Sequence, residues 1–246
     1  MFAGTNPLPT PSSRGEGEFQ LLTSRVMNPD QIARWNSELR HQTPLEVVRW
    51  AIARAGGRAV VSTNFRPYEA VILHLCTQVE PDIPVLWVDH GYNRQATYQH
   101  ADQLRKLLRL NIKAYLPRIT AAHRDALFGP IPTIDDEEGL KQFSALMKLE
   151  PFQRGMKELA PNVWITALRQ VQNQNRAGLD IVSEDKNFGT LKVSPLFYWT
   201  DADMEAYLTQ HNLPNEWDYF DPAKADEKRE CGLHAAWGQK ALGSGV

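Results

Sequence analysis

The feature that most constrains the fold is a series of short apolar runs alternating with helical patterns. The run 84–89 is apolar up to its final aspartate, which is typical of a parallel strand covered on both faces. A β-branched run at 58–62 precedes it and another apolar run follows at 112–116, with amphipathic or apolar helical patterns at 68–79 and 97–110 between them. This β–α–β–α–β order predicts an α/β fold with a doubly wound, mostly parallel sheet.

The remaining elements are predicted from caps and periodicity. We expect a capped helix over 28–41, and a second helix that begins at Thr43-Pro44 and stops at the Gly56-Gly57 pair. The segment 117–139 is expected to be irregular, with its acidic run 135–138 forming a solvated face or a helix start. The further predictions are a helix over 152–159, strands at 162–167 and 191–195, and a helix over 201–211 capped by Thr200 or Asp201.

Length and charge exclude several classes of protein. A chain of 246 residues with 42% hydrophobic residues can bury a substantial core as one domain. Its net charge of -2 argues against a nucleic-acid coat or a polybasic membrane binder, so no nucleic-acid or membrane partner is expected. No apolar run approaches the ~20 residues of a membrane span. The first 17 residues lack a hydrophobic signal core, and we expect a cytoplasmic protein with reduced thiols.

The chain has two cysteines, Cys76 and Cys231. A [4Fe–4S] cluster takes four thiolates, so no such cluster fits within one subunit, and a structural zinc site is similarly unsupported. Cys76 lies in the apolar run 70–76, where a buried and inert thiol is expected. We therefore predict neither a bound metal nor a bound cofactor.

Cys231 stands in a different environment, the stretch Lys228-Arg229-Glu230-Cys231-Gly232-Leu233-His234. A thiol reacts as the thiolate, and a free cysteine with a pKa of ~8.5 is mostly protonated at neutral pH. Cations two and three residues before the sulfur, and a histidine three residues after it, favour the thiolate. The pattern indicates a nucleophilic cysteine on a polar tail.

Two other stretches indicate an anion or nucleotide site. The turn 62–67 lies between a predicted strand and a predicted helix, where backbone N–H groups and the helix dipole attract anions. Asp89-His90-Gly91-Tyr92 lies at the carboxyl end of the next strand, the edge at which open α/β sheets bind ligands.

The sequence Glu230-Cys231-Gly232-Leu233-His234 near the C-terminus resembles the catalytic tail of the adenylyl-sulfate and phosphoadenylyl-sulfate (PAPS) reductases. The resemblance extends from about residue 28 to His234. Its inner motifs are Ser62-Thr63-Asn64-Phe65 with the following apolar helix, Asp89-His90-Gly91-Tyr92, Lys148-Leu149-Glu150-Pro151, and Leu168-Arg169-x-x-Gln172-x-x-x-Arg176.

The resemblance implies a fold of the adenine nucleotide α-hydrolase (PP-loop) type with a mobile C-terminal tail. It divides the chain into a disordered or loosely packed extension (1–27), a nucleotide-binding domain (28–220) and a tail (221–246). It implies that Cys231 is catalytic and that the 62–66 turn holds phosphate or sulfate oxygens, that Asp89 and Gly91 line the adenosine pocket, and that basic side chains bind the anionic nucleotide. The implied substrate-binding residues are Ser62, Thr63, Asn64, Arg66, Asp89, Gly91, Lys148, Arg169, Gln172, Arg176, Lys228, Arg229 and His234.

The implied reaction is attack of the Cys231 thiolate on the sulfate sulfur of PAPS, giving S-sulfocysteine and adenosine 3′,5′-bisphosphate. Thioredoxin or glutaredoxin would then release sulfite, and a homodimer is the family expectation. The sequence departs from the family at Arg66, where glycine is usual, and at Gln170, where a second arginine is usual. An arginine at position 66 could add a phosphate ligand, or it could fill the cavity. The segment between Trp217 and Lys228 also lacks the Gly-Asp-x-His-Thr-Thr stretch.

Three alternatives stay open. A cluster-free adenylyl-sulfate reductase would use the nucleotide without the 3′-phosphate, although the missing second cysteine pair favours PAPS. An ATP-pyrophosphatase ligase or thiolase would need a Ser-Gly-Gly-x-Asp-Ser loop, which Asn64-Phe65-Arg66-Pro67 does not match. A non-catalytic nucleotide-binding paralogue is motivated by Arg66 and by the shortened segment before the tail.

Overall fold

The computed structural model describes residues 27–172 and 178–223. Two helices open this part of the chain, α1 (Pro29–Leu39) and α2 (Pro44–Ala55). Thr43 forms a capping box with Glu46 at the start of α2, and Gly56 ends the helix at φ 57°, a left-handed conformation that glycine adopts at low cost. Both predicted helices are confirmed.

The strands and helices that follow confirm the predicted α/β order. They are β1 (Ala59–Thr63), α3 (Glu69–Val79), β2 (Pro84–Val88), α4 (Gln95–Leu108) and β3 (Asn111–Tyr115). After them come α5 (Ala121–Phe128), α6 (Glu137–Ser144), a π-helical turn (Ala145–Leu149), α7 (Glu150–Leu159) and β4 (Val163–Ile165). The last elements are a 3₁₀ turn (Gln170–Gln172), β5 (Val182–Asp185), β6 (Thr190–Val193) and α8 (Asp201–Gln210).

Two elements were not predicted from the sequence, α5 and β5. The segment 117–139 is not wholly irregular, because α5 lies within it and α6 begins at its end. Thr120 caps α5 by accepting a hydrogen bond from His123 N, and Asp136 caps α6 through Gly139 N. The second omission is β5, which pairs antiparallel with β6. Its sequence, Val182-Ser183-Glu184-Asp185, contains no apolar run, so pairing with β6 rather than a local sequence signal defines this strand.

The six strands form one sheet in the order β3-β2-β1-β4-β6-β5. Every neighbouring pair is parallel except β5 with β6, which confirms the mostly parallel, doubly wound sheet. The chain runs outward from β1 through β2 to β3, and then returns to place β4 on the other side of β1. The strand order therefore reverses between β1 and β4, and their carboxyl ends form the crevice where such sheets bind ligands.

Apolar side chains cover both faces of the sheet. One core joins the strands to α1, α2, α3, α4 and α8, with Val48, Ala51, Val61 and Phe65 fully buried. A smaller core lies on the other face, where Phe152 and Met156 of α7 pack with Trp164. No helix in the two described ranges is long and apolar enough to cross a membrane.

Candidate active site

The crevice between β1 and β4 brings together two segments that are about a hundred residues apart. Residues 64–68 connect β1 to α3, and residues 166–172 follow β4. The second segment is held by backbone hydrogen bonds from Thr166 N to Val193 O at 2.9 Å and from Gln170 N to Phe197 O at 2.8 Å. Both segments therefore leave the sheet at its carboxyl edge.

A cavity of about 270 Å³ opens between these segments. It contains three of the substrate-binding residues predicted from sequence, Arg66, Arg169 and Gln172. The Gln172 Oε1 atom accepts a hydrogen bond from Arg66 Nη2 at 3.3 Å and another from the Arg169 backbone N–H at 3.1 Å. The remaining described lining residues are Pro67, Tyr68, Val171 and Asp201.

Arg169 is fixed in the wall of this cavity, with only 4% of its surface exposed. Its Nη1 donates to the carbonyl of Trp199 at 3.3 Å, and its Nη2 donates to Asp201 Oδ1 at 2.7 Å. The guanidinium carbon also lies 5.3 Å from the centre of the Tyr68 ring, a cation–π distance. A planar guanidinium held in this way is suited to bind an oxyanion in a defined orientation.

The predicted residues at the end of β1 make their contacts within the protein. Ser62 Oγ accepts a hydrogen bond from Trp164 Nε1 at 2.8 Å on the α7 face of the sheet. Thr63 Oγ1 donates to Glu69 Oε2 at 2.8 Å, and the Asn64 backbone N–H donates to the same oxygen at 2.7 Å. A carboxylate of α3 therefore occupies donors of the turn that the resemblance assigned to substrate oxygens.

Asp89 and Gly91 lie at the carboxyl end of β2 and are not among the described residues that line the cavity. Asp89 Oδ1 accepts from Gly91 N at 3.0 Å, from Asn93 Nδ2 at 3.1 Å and from the Tyr98 hydroxyl at 2.7 Å. Burial and the bond to Asp89 raise the pKa of Tyr98 to about 12. Gly91 has φ 77°, and a Cβ there would lie 3.2 Å from the Ala121 Cβ, so this turn requires glycine.

Lys148 forms a buried ion pair at the same edge of the sheet. It lies in the π-helical turn with 2% exposure, and its Nζ is 2.5 Å from Asp221 Oδ2. Burial favours the neutral acid, but the charge of Lys148 and its hydrogen bond outweigh that effect, so the pKa of Asp221 is lowered. Burial, reinforced by the charge of Lys148, lowers the pKa of the neighbouring His90 to about 4.

The ion pair holds the first residues of the C-terminal tail (221–246). Asp221 Oδ1 accepts a hydrogen bond from Ala223 N at 3.1 Å, and Ala223 packs into the core on the α7 face. Arg176, Lys228, Arg229, Cys231 and His234 lie outside the described residues.

Sequence reasoning missed Glu69, Tyr68 and Asp221. An acidic residue in the first turn of a helix that follows a strand–turn is a signal that could have indicated Glu69. No local signal links Asp221 to Lys148, because the two are 73 positions apart. Across 27–172 and 178–223, no cluster of three or more His, Cys, Asp and Glu side chains is arranged to hold a metal ion.

The mostly parallel sheet, with its crevice where the strand order reverses between β1 and β4, defines an α/β fold of the PP-loop, adenine nucleotide α-hydrolase-like type. Two solved structures share this fold. A PAPS reductase from Candida auris, solved as a phosphate complex, superposes with a TM-score of 0.67 at 24% identity and covers 77% of this chain and 89% of its own. A Candida glabrata FMN adenylyltransferase superposes with a TM-score of 0.51 at 13% identity, over 78% of this chain and 62% of its own.

Sequence comparisons give the family. The family model described as the phosphoadenosine phosphosulfate reductase domain matches residues 58–217. A phosphoadenosine 5′-phosphosulfate reductase of Synechococcus sp. is 33% identical over 81% of this chain and 95% of its own length. One from Vibrio campbellii is 34% identical over 88% of this chain and 91% of its own. The chain therefore belongs to the phosphoadenosine phosphosulfate reductase family.

Proposed function

We propose that this protein reduces PAPS to sulfite and adenosine 3′,5′-bisphosphate, with Cys231 as the nucleophile and thioredoxin or glutaredoxin as the electron donor. The observation that carries the proposal is the pair of arginines, Arg66 and Arg169, in a cavity at the switch point of a chain that belongs to this family. The relatives matched over nearly their whole length are named for this reaction.

The arginines supply the electrostatics that the reaction needs. When the S–O bond of PAPS breaks, negative charge grows on the phosphate that leaves. Guanidinium groups already held in place stabilise that charge without reorganising during the reaction. Arg169 is held by the Trp199 carbonyl and Asp201, and Arg66 is held by Glu69, so both meet this requirement.

Cys231 supplies the nucleophilic thiolate in this proposal. Its cationic neighbours Lys228 and Arg229 favour the thiolate. Cys76 is fully buried, and burial raises the pKa of its thiol, so it is suited neither to attack substrate nor to resolve an intermediate. An external dithiol is therefore required.

The proposed reaction has two stages. The Cys231 thiolate attacks the sulfate sulfur, a Cys231 S–S bond forms to the sulfonate, and the S–O bond breaks to release adenosine 3′,5′-bisphosphate. A thiolate of the dithiol protein then attacks the Cys231 sulfur and sulfite leaves with the bonding electron pair. The second thiol of the partner displaces Cys231, which returns as a thiol while the partner becomes a disulfide.

Most of the other predicted site residues enter as parts of this proposal. Six predicted residues remain assigned to substrate binding: Ser62, Asp89, Gly91, Gln172, Arg176 and His234. The predicted assignment of Thr63 and Asn64 is not carried into the proposal, because their donors are bonded to Glu69. Lys148 stays a candidate ligand for a nucleotide anion, and such an anion would have to compete with Asp221 for the ammonium group. A homodimer and a cytoplasmic location, where thiols stay reduced, complete the proposal.

A cluster-free adenylyl-sulfate reductase is the second candidate, favoured by the missing Gly-Asp-x-His-Thr-Thr stretch. Sulfite release from each nucleotide, with thioredoxin present, separates the two. We expect turnover of PAPS and little of adenylyl sulfate, full loss in Cys231→Ser, and retention in the matched control Cys76→Ser. Faster turnover of adenylyl sulfate would replace the first candidate with the second, and sulfite from neither nucleotide would refute both.

A further inference from the structure

The turn between β1 and α3 contains a carboxylate supplied by the chain itself. Glu69 lies in the first turn of α3 and is only 5% exposed. Its Oε2 accepts hydrogen bonds from Thr63 Oγ1 at 2.8 Å and from the backbone N–H groups of Asn64 at 2.7 Å and Arg66 at 3.4 Å. Its Oε1 accepts from Arg66 Nε at 2.8 Å.

These donors are the ones that a strand–turn–helix offers to an oxyanion. Backbone N–H groups at a helix start point into the turn, and the helix dipole adds positive potential. A phosphate group seated there would have to displace the Glu69 carboxylate. The displaced charge would then be buried without its hydrogen bonds and close to a second anion, and both effects are costly.

The shape of the turn suits an internal anion. Phe65 has φ 55° and Tyr68 has φ 71°, so two residues with side chains adopt the left-handed region. Each costs about 1–2 kcal/mol, and hydrogen bonds that over-determine the turn are what allow such conformations to persist. The bonds to Glu69 come from both sides of Phe65, from Thr63 and Asn64 before it and from Arg66 after it.

Glu69 also orients the Arg66 guanidinium in the cavity. Arg66 is bonded through Nε to Glu69 and through Nη2 to Gln172 Oε1, which in turn accepts from the Arg169 backbone. The carboxylate therefore directs the Arg66 guanidinium from the turn towards the cavity that it shares with Arg169.

We propose that Glu69 is a specificity-determining residue that closes the β1–α3 turn to pyrophosphate and triphosphate groups and directs the substrate anion to the adjacent arginine-lined cavity. The part concerning the substrate rests on the proposed function. The part concerning the turn does not, because exclusion of pyrophosphate follows from the occupied donors alone.

Calorimetric titration of the full chain with inorganic pyrophosphate and with ATP tests this. We expect weak binding of both by the wild type, and binding tighter by about tenfold or more in Glu69→Ala, since the variant frees the donors and removes the like charge. Glu69→Gln preserves the shape of the side chain and removes only the charge, so it should show a smaller gain. The matched control is Glu205→Gln, which removes an exposed carboxylate. This carboxylate accepts from the Tyr68 hydroxyl but from none of the Thr63, Asn64 and Arg66 donors, so the variant should show no gain.

Equal affinity of wild type and both Glu69 variants for pyrophosphate would overturn the proposal, as would an equal gain in Glu205→Gln. If Glu69→Ala fails to fold, Glu69→Gln decides the question. Tight binding of pyrophosphate by the wild type that persists in Arg169→Ala overturns the proposal, because that variant removes the anion ligand of the adjacent cavity. Sulfite release by the wild type is measured separately, so a gain of pyrophosphate binding in a protein that makes no sulfite would refute the proposed function and leave the role of Glu69 intact.

Discussion

The buried pair Lys148–Asp221 allows a stability prediction with a magnitude. Both side chains are almost fully buried, and the Nζ–Oδ2 distance is 2.5 Å. Asp221→Asn removes the negative charge and leaves the Lys148 ammonium buried without it. Removing one partner of a buried pair costs about 3–5 kcal/mol. That is a large share of the roughly 5–15 kcal/mol by which a domain is stable, so the variant should unfold at a much lower urea concentration.

Urea unfolding at neutral pH, followed by tryptophan fluorescence, measures the loss. The matched control is Asp218→Asn, because Asp218 pairs with Arg94 while both side chains are about half exposed. An exposed pair contributes below about 1 kcal/mol. The double variant Lys148→Met/Asp221→Leu removes both charges and should recover most of the stability, because an apolar pair can replace a buried ion pair at little cost.

The pH dependence follows from the sign of the shift. The folded state lowers the pKa of Asp221, so its contribution is fully present above the unfolded value of about 3.9 and is lost as the pH falls through the folded value. The difference between wild type and Asp221→Asn should therefore shrink in acid. If Asp221→Asn loses no more free energy of unfolding than Asp218→Asn at neutral pH, the predicted contribution of the buried pair is wrong.

Two further predictions concern the site. Burial lowers the pKa of His90 to about 4, so below pH ~6.5 this histidine is protonated in the unfolded chain before it is protonated in the folded protein. The free energy of unfolding should therefore fall by up to about 1.4 kcal/mol per pH unit towards pH 4. His90→Gln should lack this slope in urea unfolding, and an unchanged slope would contradict the burial of His90. Arg169→Ala should lower kcat/KM for PAPS by about a hundredfold or more, and Arg169→Lys should restore only part of this activity, since an ammonium lacks the planar fork of a guanidinium. The control is Arg105→Ala, because Arg105 forms an exposed ion pair with Asp102 on α4, and its kcat/KM should match that of the wild type.

The sequence predicted the fold well where a local signal determines structure. The capping boxes at Thr43 and Thr200 fix the starts of α2 and α8, and the apolar runs of β1 and β2 identify buried parallel strands. It failed at α5, which is short and adjoins the prolines of 117–139, and at β5, whose pairing with β6 is not encoded in its own pattern.

The same distinction applies to the candidate site, where some residues carry a local sequence signal and others are brought in only by the fold. Motif positions identified Arg169 and Gln172, and the position of Arg66 in the turn after β1 identified that residue. The fold brings all three to one cavity. These sequence signals could not reveal that Glu69 fills the turn beside Arg66 or that Lys148 faces Asp221, because these contacts depend on how the turn closes and on where a distant segment packs.

The central claim is that Cys231 receives the sulfonate from PAPS, and intact-mass analysis tests it most directly. Incubation of the reduced protein with PAPS, without a reductant, should add one sulfonate group, which peptide mapping should place on Cys231. Addition of thioredoxin should remove the group and release an equal amount of sulfite. A protein that binds PAPS but gains no mass, or that gains it in Cys231→Ser as well, would contradict the account.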